Sequence, residues 1–314
     1  MSTYRVAVVQ DAPIPDDSNA TIGLMAELCE QAKQKGADLV LFPEGFIGGY
    51  LRGANFSAFV GGRAPEGRAE LQHYAENAIE VPSDATHRIG KIARDNNMHI
   101  VVGIIEKGGG TLYCTVIFFD RSGELLGKHR KLMPTGMERL IWGYGDGSTL
   151  PVFETDIGNV GAVICWENYM PLMRMAMYGK GVQIYCAPTA DDKDYWVGTM
   201  RHIALEGRCY VLSSCQFMRG SDYPSSVFEN KYNPDPDFIL MHGGSCIINP
   251  DGEIIAGPIY DEKAILVADI SMDLITRGKM DFDVVGHYSR PDVFSMRVDA
   301  RKKDAVSYDG TDSD

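Results

Sequence analysis

Gly161-Ala-Val-Ile-Cys165-Trp-Glu-Asn-Tyr-Met-Pro171 decides how the rest of this chain is read. A β-branched apolar run stops at one cysteine, and a charged, aromatic, proline-ended turn follows it. The run reads as a strand and the segment beyond the turn as a helix. Cys165 then stands at a strand's C-terminal end, where α/β proteins carry their reactive groups. The first N–H groups of such a helix favour a thiolate and any oxyanion formed beside it. Whatever activates the sulfur must come from elsewhere in the chain.

Outward from that stretch, two apolar patterns alternate. Arg5–Gln10, Asp38–Phe42, His99–Ile105, Tyr113–Phe119, Asn159–Ile164, Val182–Ala187, Tyr210–Ser214, Ser245–Asn249 and Ala264–Ile270 are rich in Val, Ile, Phe and Tyr and read as strands. Helical spacing predicts helices from N-caps at Ser18 and Ser83 to about Lys35 and Asn97, and over Gly67–Glu80, Met170–Gly179 and Asp194–Gly207. Gly36 and Gly179 stand where helices tend to stop. Asp120-Arg-Ser-Gly123 and Asn249-Pro-Asp-Gly252 carry hairpin-turn chemistry. Strands joined both through helices and by hairpins imply a mixed sheet system. With no repeat and no linker-like stretch, residues 3–300 read as one domain. The polar acidic tail, 301–314, reads as disordered.

The 314 residues suffice for one large α/β domain, with an ordinary soluble composition of 45% hydrophobic and 23% charged residues. The net charge of −13 argues against nucleic acid or an anionic membrane surface as the main partner. No segment has the apolar length to cross a bilayer, and the N-terminal run is too short for a signal-peptide core, so a cytoplasmic location is expected. Seven scattered cysteines without a CxxC pair should be mostly free, buried thiols in a reducing compartment.

Three further segments put polar residues at strand ends. Leu39-Val-Leu-Phe-Pro43-Glu44 holds a carboxylate after proline, where partial desolvation would raise its pKa toward that of a useful general base. A helix cap or a surface-turn acid is the bland alternative. His129-Arg-Lys131-Leu-Met-Pro-Thr-Gly-Met-Glu138 follows a strand ending near Gly127. Such a basic run usually marks a solvated edge, yet here it enters an apolar loop with large aromatics. A lysine there could stabilise a thiolate and a tetrahedral intermediate, and Glu138 could orient the lysine or the leaving group. Tyr185-Cys-Ala-Pro-Thr-Ala-Asp-Asp192 is another strand end that could line the same crevice. His129, His202 and His242 lack a cysteine-protease context. No His and Cys spacing suggests a metal site, and Gly108-Gly-Gly110 reads as a hairpin turn rather than a nucleotide loop. A buried structural thiol at Cys165 and a redox role with Cys186 remain open on these residues alone.

Taken together, the segments resemble the nitrilase branch of the carbon–nitrogen hydrolase superfamily. Phe42-Pro-Glu44-Gly-Phe-Ile-Gly-Gly-Tyr50, His129-Arg-Lys131-Leu-Met-Pro-Thr and Cys165-Trp-Glu-Asn-Tyr-Met-Pro-Leu172 look like its three catalytic motifs, in the family's order. The similarity continues through Gly136–Gly147, Ala187–Asp191, Arg201–Arg208, Gly243–Pro250 and Asp281–Pro291, so nearly the whole chain is covered. The resemblance implies an αββα sandwich whose protomers pair into dimers or longer spirals. It implies Glu44 as general base, Lys131 as electrophilic stabiliser, Cys165 as nucleophile and Glu138 as a second pocket carboxylate. Trp166, through its backbone N–H, would share the developing charge. Tyr50, Met137, Trp142, Ala190 and Tyr195 are candidate pocket residues, apolar and aromatic enough for an aryl or arylaliphatic nitrile, although plain core packing would also explain them. A small-molecule nitrile and water are the implied partners, and neither a cofactor nor a metal is implied. Gly45 and Leu51 depart from residues common in the family and concern the backbone behind Glu44 and the pocket rim. An amidase or cyanide-hydrolysing relative, or a non-catalytic thiol-sensing or scaffold protein with the same fold, are the alternatives.

Overall fold

The computed structural model describes residues 3–223 and 235–306. In chain order the first half contributes β1 (Thr3–Gln10), α1 (Ser18–Gln34), β2 (Leu39–Leu41), the short hairpin β3 (Ala58–Phe59) and β4 (Gly62–Arg63), α2 (Pro65–Asn77), α3 (Asp84–Asn96), β5 (His99–Gly108), β6 (Thr111–Phe119) and β7 (Leu125–Arg130). The second half contributes β8 (Val152–Thr155), β9 (Gly158–Ala162), α4 (Pro171–Gly179), β10 (Ile184–Thr189), α5 (Asp194–Gly207), β11 (Tyr210–Cys215), β12 (Phe217–Arg219), β13 (Ile239–Ile248), β14 (Ile254–Tyr260), β15 (Ala264–Ser271) and α6 (Met272–Asp281).

The strands form two mixed sheets that face each other, one ordered β15-β1-β2-β5-β6-β7 and the other β12-β13-β11-β10-β9-β8, with β14 paired to β13. The two-residue period of a strand explains the layering. In β1, Val6 and Val8 point between the sheets, where they join Leu39, Leu41 and Val101 and meet Val160, Ile184, Leu212 and Ile247 of the second sheet. Ala7 and Val9 point the other way, onto Ile22, Met25 and Leu28 of α1 and Ile89 and Ala93 of α3. On the far side, Tyr185, Val211 and Ile248 pack against Met173 and Met177 of α4 and Trp196, Met200 and Ile203 of α5. The layers therefore run helix, sheet, sheet, helix, as expected of an αββα sandwich.

Both predicted hairpin turns are present: 120–123 joins β6 to β7, and 249–252 joins β13 to β14. Some boundaries differ from the sequence expectation. Asp17, not Ser18, caps α1, accepting the Ala20 N–H at 2.8 Å, while the Ser18 hydroxyl donates instead to the Asn77 carbonyl. The helix expected over Gly67–Glu80 starts at Pro65 and stops at Asn77, because Ile79 adds its backbone to the edge of β5. Residues 301–306 are exposed, with the Lys303 N–H on Asp146 at 2.7 Å. The remainder of the expected acidic tail, 307–314, lies outside the described residues.

Candidate active site

β2 and β5 run parallel, and β7 shares their direction because two antiparallel pairings separate it from β5. β9 and β10 are parallel in the other sheet. Glu44, Lys131, Cys165 and Thr189 thus each sit at, or just beyond, the carboxyl end of a strand.

The backbone carrying Glu44 lies directly on β5. Ile47 donates to Gly103 and Ile105 donates back to Ile47. A Cβ on Gly103 would fall 2.3 Å from the Pro43 oxygen and 2.7 Å from the Glu44 Cα, so only glycine admits this approach. Gly45 turns the chain there with φ 58°, and the Gln216 side chain holds the Glu44 carbonyl at 2.9 Å.

Lys131 is wholly buried, and its ammonium donates to Glu44 Oε1 at 2.7 Å and to Glu138 Oε2 at 2.8 Å. Glu138 also takes the Thr135 N–H at 2.7 Å and the Tyr50 hydroxyl at 2.7 Å. A continuous chain of charge-assisted hydrogen bonds therefore runs from Tyr50 through Glu138 and Lys131 to Glu44. Burial works against the Lys131 ammonium, but the Glu44 and Glu138 carboxylates more than offset it and hold the charge in place. Burial also raises the Glu44 carboxyl above its usual range, against the pull of Lys131. Glu44 Oε2 has no hydrogen-bond partner among the described residues, which leaves one carboxylate oxygen open to receive a proton.

Cys165 opens a one-turn helix (165–169) with φ 49°, the left-handed region that an L residue seldom occupies. Asn168 ties this elbow down by donating to the Cys165 carbonyl at 2.7 Å and the Val163 carbonyl at 2.9 Å. The Thr189 hydroxyl donates to the sulfur at 3.2 Å. Burial and the Glu44 charge push the Cys165 thiol well up, and the Lys131 ammonium only partly opposes them. Burial thus opposes the thiolate that the nearby N–H groups favour, which leaves a part for a base. A neutral thiol beside an unprotonated carboxylate and a fixed ammonium can lose its proton as it attacks an electrophilic carbon.

A cavity of about 190 Å³ reaches this cluster at Tyr50 and Glu138; Cys165, Glu44 and Lys131 lie behind them and are not part of its lining. Its walls come from two segments, 50–56 and 135–142, together with Tyr74. Tyr50 and Trp142 meet edge to face at 5.9 Å, and Phe56 and Tyr74 add further aromatic surface. Among the expected pocket residues, Tyr50, Met137 and Trp142 line this cavity, Met137 at its mouth with 60% of its surface exposed. The Trp166 indole, 46% exposed, donates to Asp191 at 2.8 Å and does not line the cavity. Ala190 is buried in the core between the sheets, next to Thr189. Tyr195, on α5, is 56% exposed and does not line the cavity.

Cys114 and Arg52, to which the sequence assigned no role, also meet here, and His129 finds a partner other than the cysteine. The Cys114 thiol donates to Glu44 Oε1 at 3.4 Å, and its carbonyl accepts the Lys131 N–H at 2.8 Å. Arg52 grips Asp192 with two bonds of 3.1 Å, joining the cavity rim to the loop after β10. His129 faces Glu167 rather than Cys165. All seven cysteines are free and buried. No group of three or more metal-ligating side chains occurs among the described residues, and no helix there is long and apolar enough to cross a membrane.

Comparison with known proteins adds to this geometry. Residues 5–280 match the carbon–nitrogen hydrolase family model. An aliphatic nitrilase of Sinorhizobium fredii is 55% identical over 98% of this chain and 99% of its own. A bifunctional nitrilase/nitrile hydratase of Nicotiana tabacum is 50% identical over 99% of this chain and 90% of its own, and nitrilase 1 of Arabidopsis thaliana is 50% identical over 98% and 90%. A carbon–nitrogen hydrolase from Helicobacter pylori superposes with a TM-score of 0.74 over 93% of this chain and 97% of its own at 20% identity, which bears on the fold alone. With the family model spanning the two sheets and their strand-end residues, and with such relatives along its length, the chain belongs to the nitrilase branch of the carbon–nitrogen hydrolase superfamily.

Proposed function

We propose that this chain hydrolyses organic nitriles to the carboxylic acid and ammonia, with Cys165 as nucleophile, Glu44 as general base, and Lys131 as stabiliser positioned by Glu138. The observation that carries this reading is the buried ammonium bracketed by two carboxylates, with the Cys165 thiol at the neighbouring strand end. Glu44 Oε2 is the open oxygen, and it takes the thiol proton while the sulfur adds to the nitrile carbon. The C≡N bond becomes the C=N bond of a thioimidate, and the proton ends on nitrogen. Two of the three Lys131 N–H groups are held by the carboxylates, which leaves the third, with the Trp166 backbone N–H, for the charge that develops. Water activated by Glu44 then adds to the thioimidate carbon. Collapse of that adduct expels ammonia and leaves a thioester, and a second water releases the acid and restores the thiol. No cofactor enters this sequence.

The aromatic walls favour an aryl or arylaliphatic nitrile, whose flat ring fits between Tyr50, Phe56, Tyr74 and Trp142. Phenylacetonitrile tests both points in one incubation with ammonia, acid and amide assayed separately. Acid with stoichiometric ammonia supports the reading. Turnover only of amides or of cyanide would reassign the same groups to a different carbon–nitrogen bond, and no turnover at all would sink the enzymatic reading. We further propose that the chain acts in the cytoplasm as one domain that self-associates to a dimer or beyond. Light scattering coupled to size exclusion measures that mass directly.

A further inference from the structure

A second buried carboxylate lies behind the charge cluster and plays no part in the steps above. Glu167 is 1% exposed, and three groups from two segments, 129–132 and 164, converge on it. Its Oε1 accepts the Leu132 N–H at 2.6 Å and its Oε2 accepts the Ile164 N–H at 3.0 Å. His129 Nε2 sits between the two oxygens, at 3.3 and 3.1 Å. Leu132 directly follows Lys131, and Ile164 directly precedes Cys165. One carboxylate thus grips the main chain beside both reacting groups. We propose that Glu167, with the His129 imidazole as its partner, is a positioning residue that fixes Lys131 relative to Cys165 and holds the left-handed turn at the cysteine.

Three features of the geometry carry this. Backbone N–H groups face both oxygens of Glu167, so every group around it is a donor. A carboxylate accepts from all of them, whereas an amide of the same length must turn its NH2 toward one of the N–H groups. The second feature is the imidazole. Its Nδ1 is 2.8 Å from the Thr149 carbonyl oxygen while its Nε2 faces the carboxylate. With an oxygen facing each nitrogen, the ring is fixed at both ends and ties Glu167 to the segment that carries Thr149. The third is the tether at Ile164, one residue before a backbone angle that must be held by its surroundings. A shift of either loop alters the spacing of ammonium and sulfur, to which rate is steeply sensitive.

The inference rests on the reading of Lys131 and Cys165 given above, and its test separates the two. Glu167→Gln, His129→Gln and the double variant are compared with the wild type and Cys165→Ala. Each is measured for kcat and KM on phenylacetonitrile, for the rate of Cys165 alkylation by iodoacetamide, and for thermal unfolding. Glu167→Gln should lower kcat per titrated thiol by about 10- to 100-fold with KM within about twofold. His129→Gln, which keeps one donor, should lose less, and the double variant should be no worse than Glu167→Gln alone. A merely structural role would lower the fraction of active thiol and the unfolding midpoint, leaving kcat per thiol unchanged. That result, or wild-type kcat in the folded variants, overturns the proposal. Should Glu167→Gln fail to fold, wild-type kcat in His129→Gln overturns it as well. Wild-type protein without nitrile turnover, or an active Cys165→Ala, defeats the functional reading instead. The alkylation rate then decides the positioning role: a change of about tenfold supports it, and no change refutes it.

Discussion

Glu44→Gln swaps one carboxylate oxygen for an amide at the centre of the site, and its energetics can be worked from the bonds around Lys131. At an effective dielectric of about 20, the Lys131–Glu44 contact at 2.7 Å contributes about 6 kcal/mol of attraction. The Glu44 and Glu138 oxygens flank the same nitrogen, so they lie no further apart than the two bonds laid end to end. Their repulsion is about 3 kcal/mol on the same scale. Removing the Glu44 charge also relieves the cost of burying it, several kcal/mol as an order of magnitude. The Gln oxygen still accepts from Lys131. The sum lies near zero, so the variant should unfold within about 2 kcal/mol of the wild type in urea. Activity should behave quite differently: without a base, kcat/KM for phenylacetonitrile should fall by about 10²- to 10⁴-fold. The pH dependence adds a second check. Burial raises the Glu44 carboxyl above 4.5 in the folded state. Such a group favours folding while protonated, below its unfolded value, and that contribution is lost as pH rises through the raised folded value. Catalysis needs the ionised form, so activity increases over the window in which this contribution to stability declines. Both trends should vanish in Glu44→Gln. More than a tenth of wild-type activity, on the scale of a lost general base, or a stability loss beyond about 4 kcal/mol, would refute the reasoning.

Other outcomes are equally direct. Cys165→Ala should abolish ammonia release with the circular dichroism spectrum intact; residual turnover would implicate the Cys114 thiol beside Glu44. Tyr50→Phe removes a charge-assisted bond of 2.7 Å to Glu138 and should lower kcat/KM about tenfold, and unchanged kinetics would uncouple that bond from the reaction. Arg52→Ala frees the cavity rim from Asp192 and should raise KM while kcat stays within about twofold; a loss in kcat alone would show that the rim acts on chemistry rather than binding.

The layered fold was legible because its strands alternate and its hairpins carry their own turn residues, as at 120–123 and 249–252. β8 and α6 were not: Val152–Thr155 is short and half polar, and Met272–Asp281 mixes its apolar residues with charges. Asp17 and Ser18 are chemically equal as caps, and only the distant Asn77 carbonyl, by engaging Ser18, decides between them. At the site, Glu44, Lys131 and Cys165 each follow a strand, so sequence could find them one by one, whereas Glu138 sits on a short helical turn (136–140) beyond Lys131 rather than at a strand end. The Glu167–His129 contact was hidden, since it joins residues 38 apart through side chains that read as an aromatic turn and a basic edge. Tyr195 shows the opposite failure: a suitable aromatic near the right strand end, carried to the outer face by the phase of α5.

The cavity wall described above is drawn almost wholly from 50–56 and 135–142, whereas sulfur, ammonium and base hang from strand ends seated in the sheets. The cavity wall and the charged cluster therefore sit on separate parts of the chain, joined by the Tyr50–Glu138 hydrogen bond. Leu51, Ala54, Phe56, Leu140 and Ile141 can be exchanged without touching a charge. On the proposed reading, a library confined to those five positions would vary the cavity wall while leaving the charged cluster unchanged.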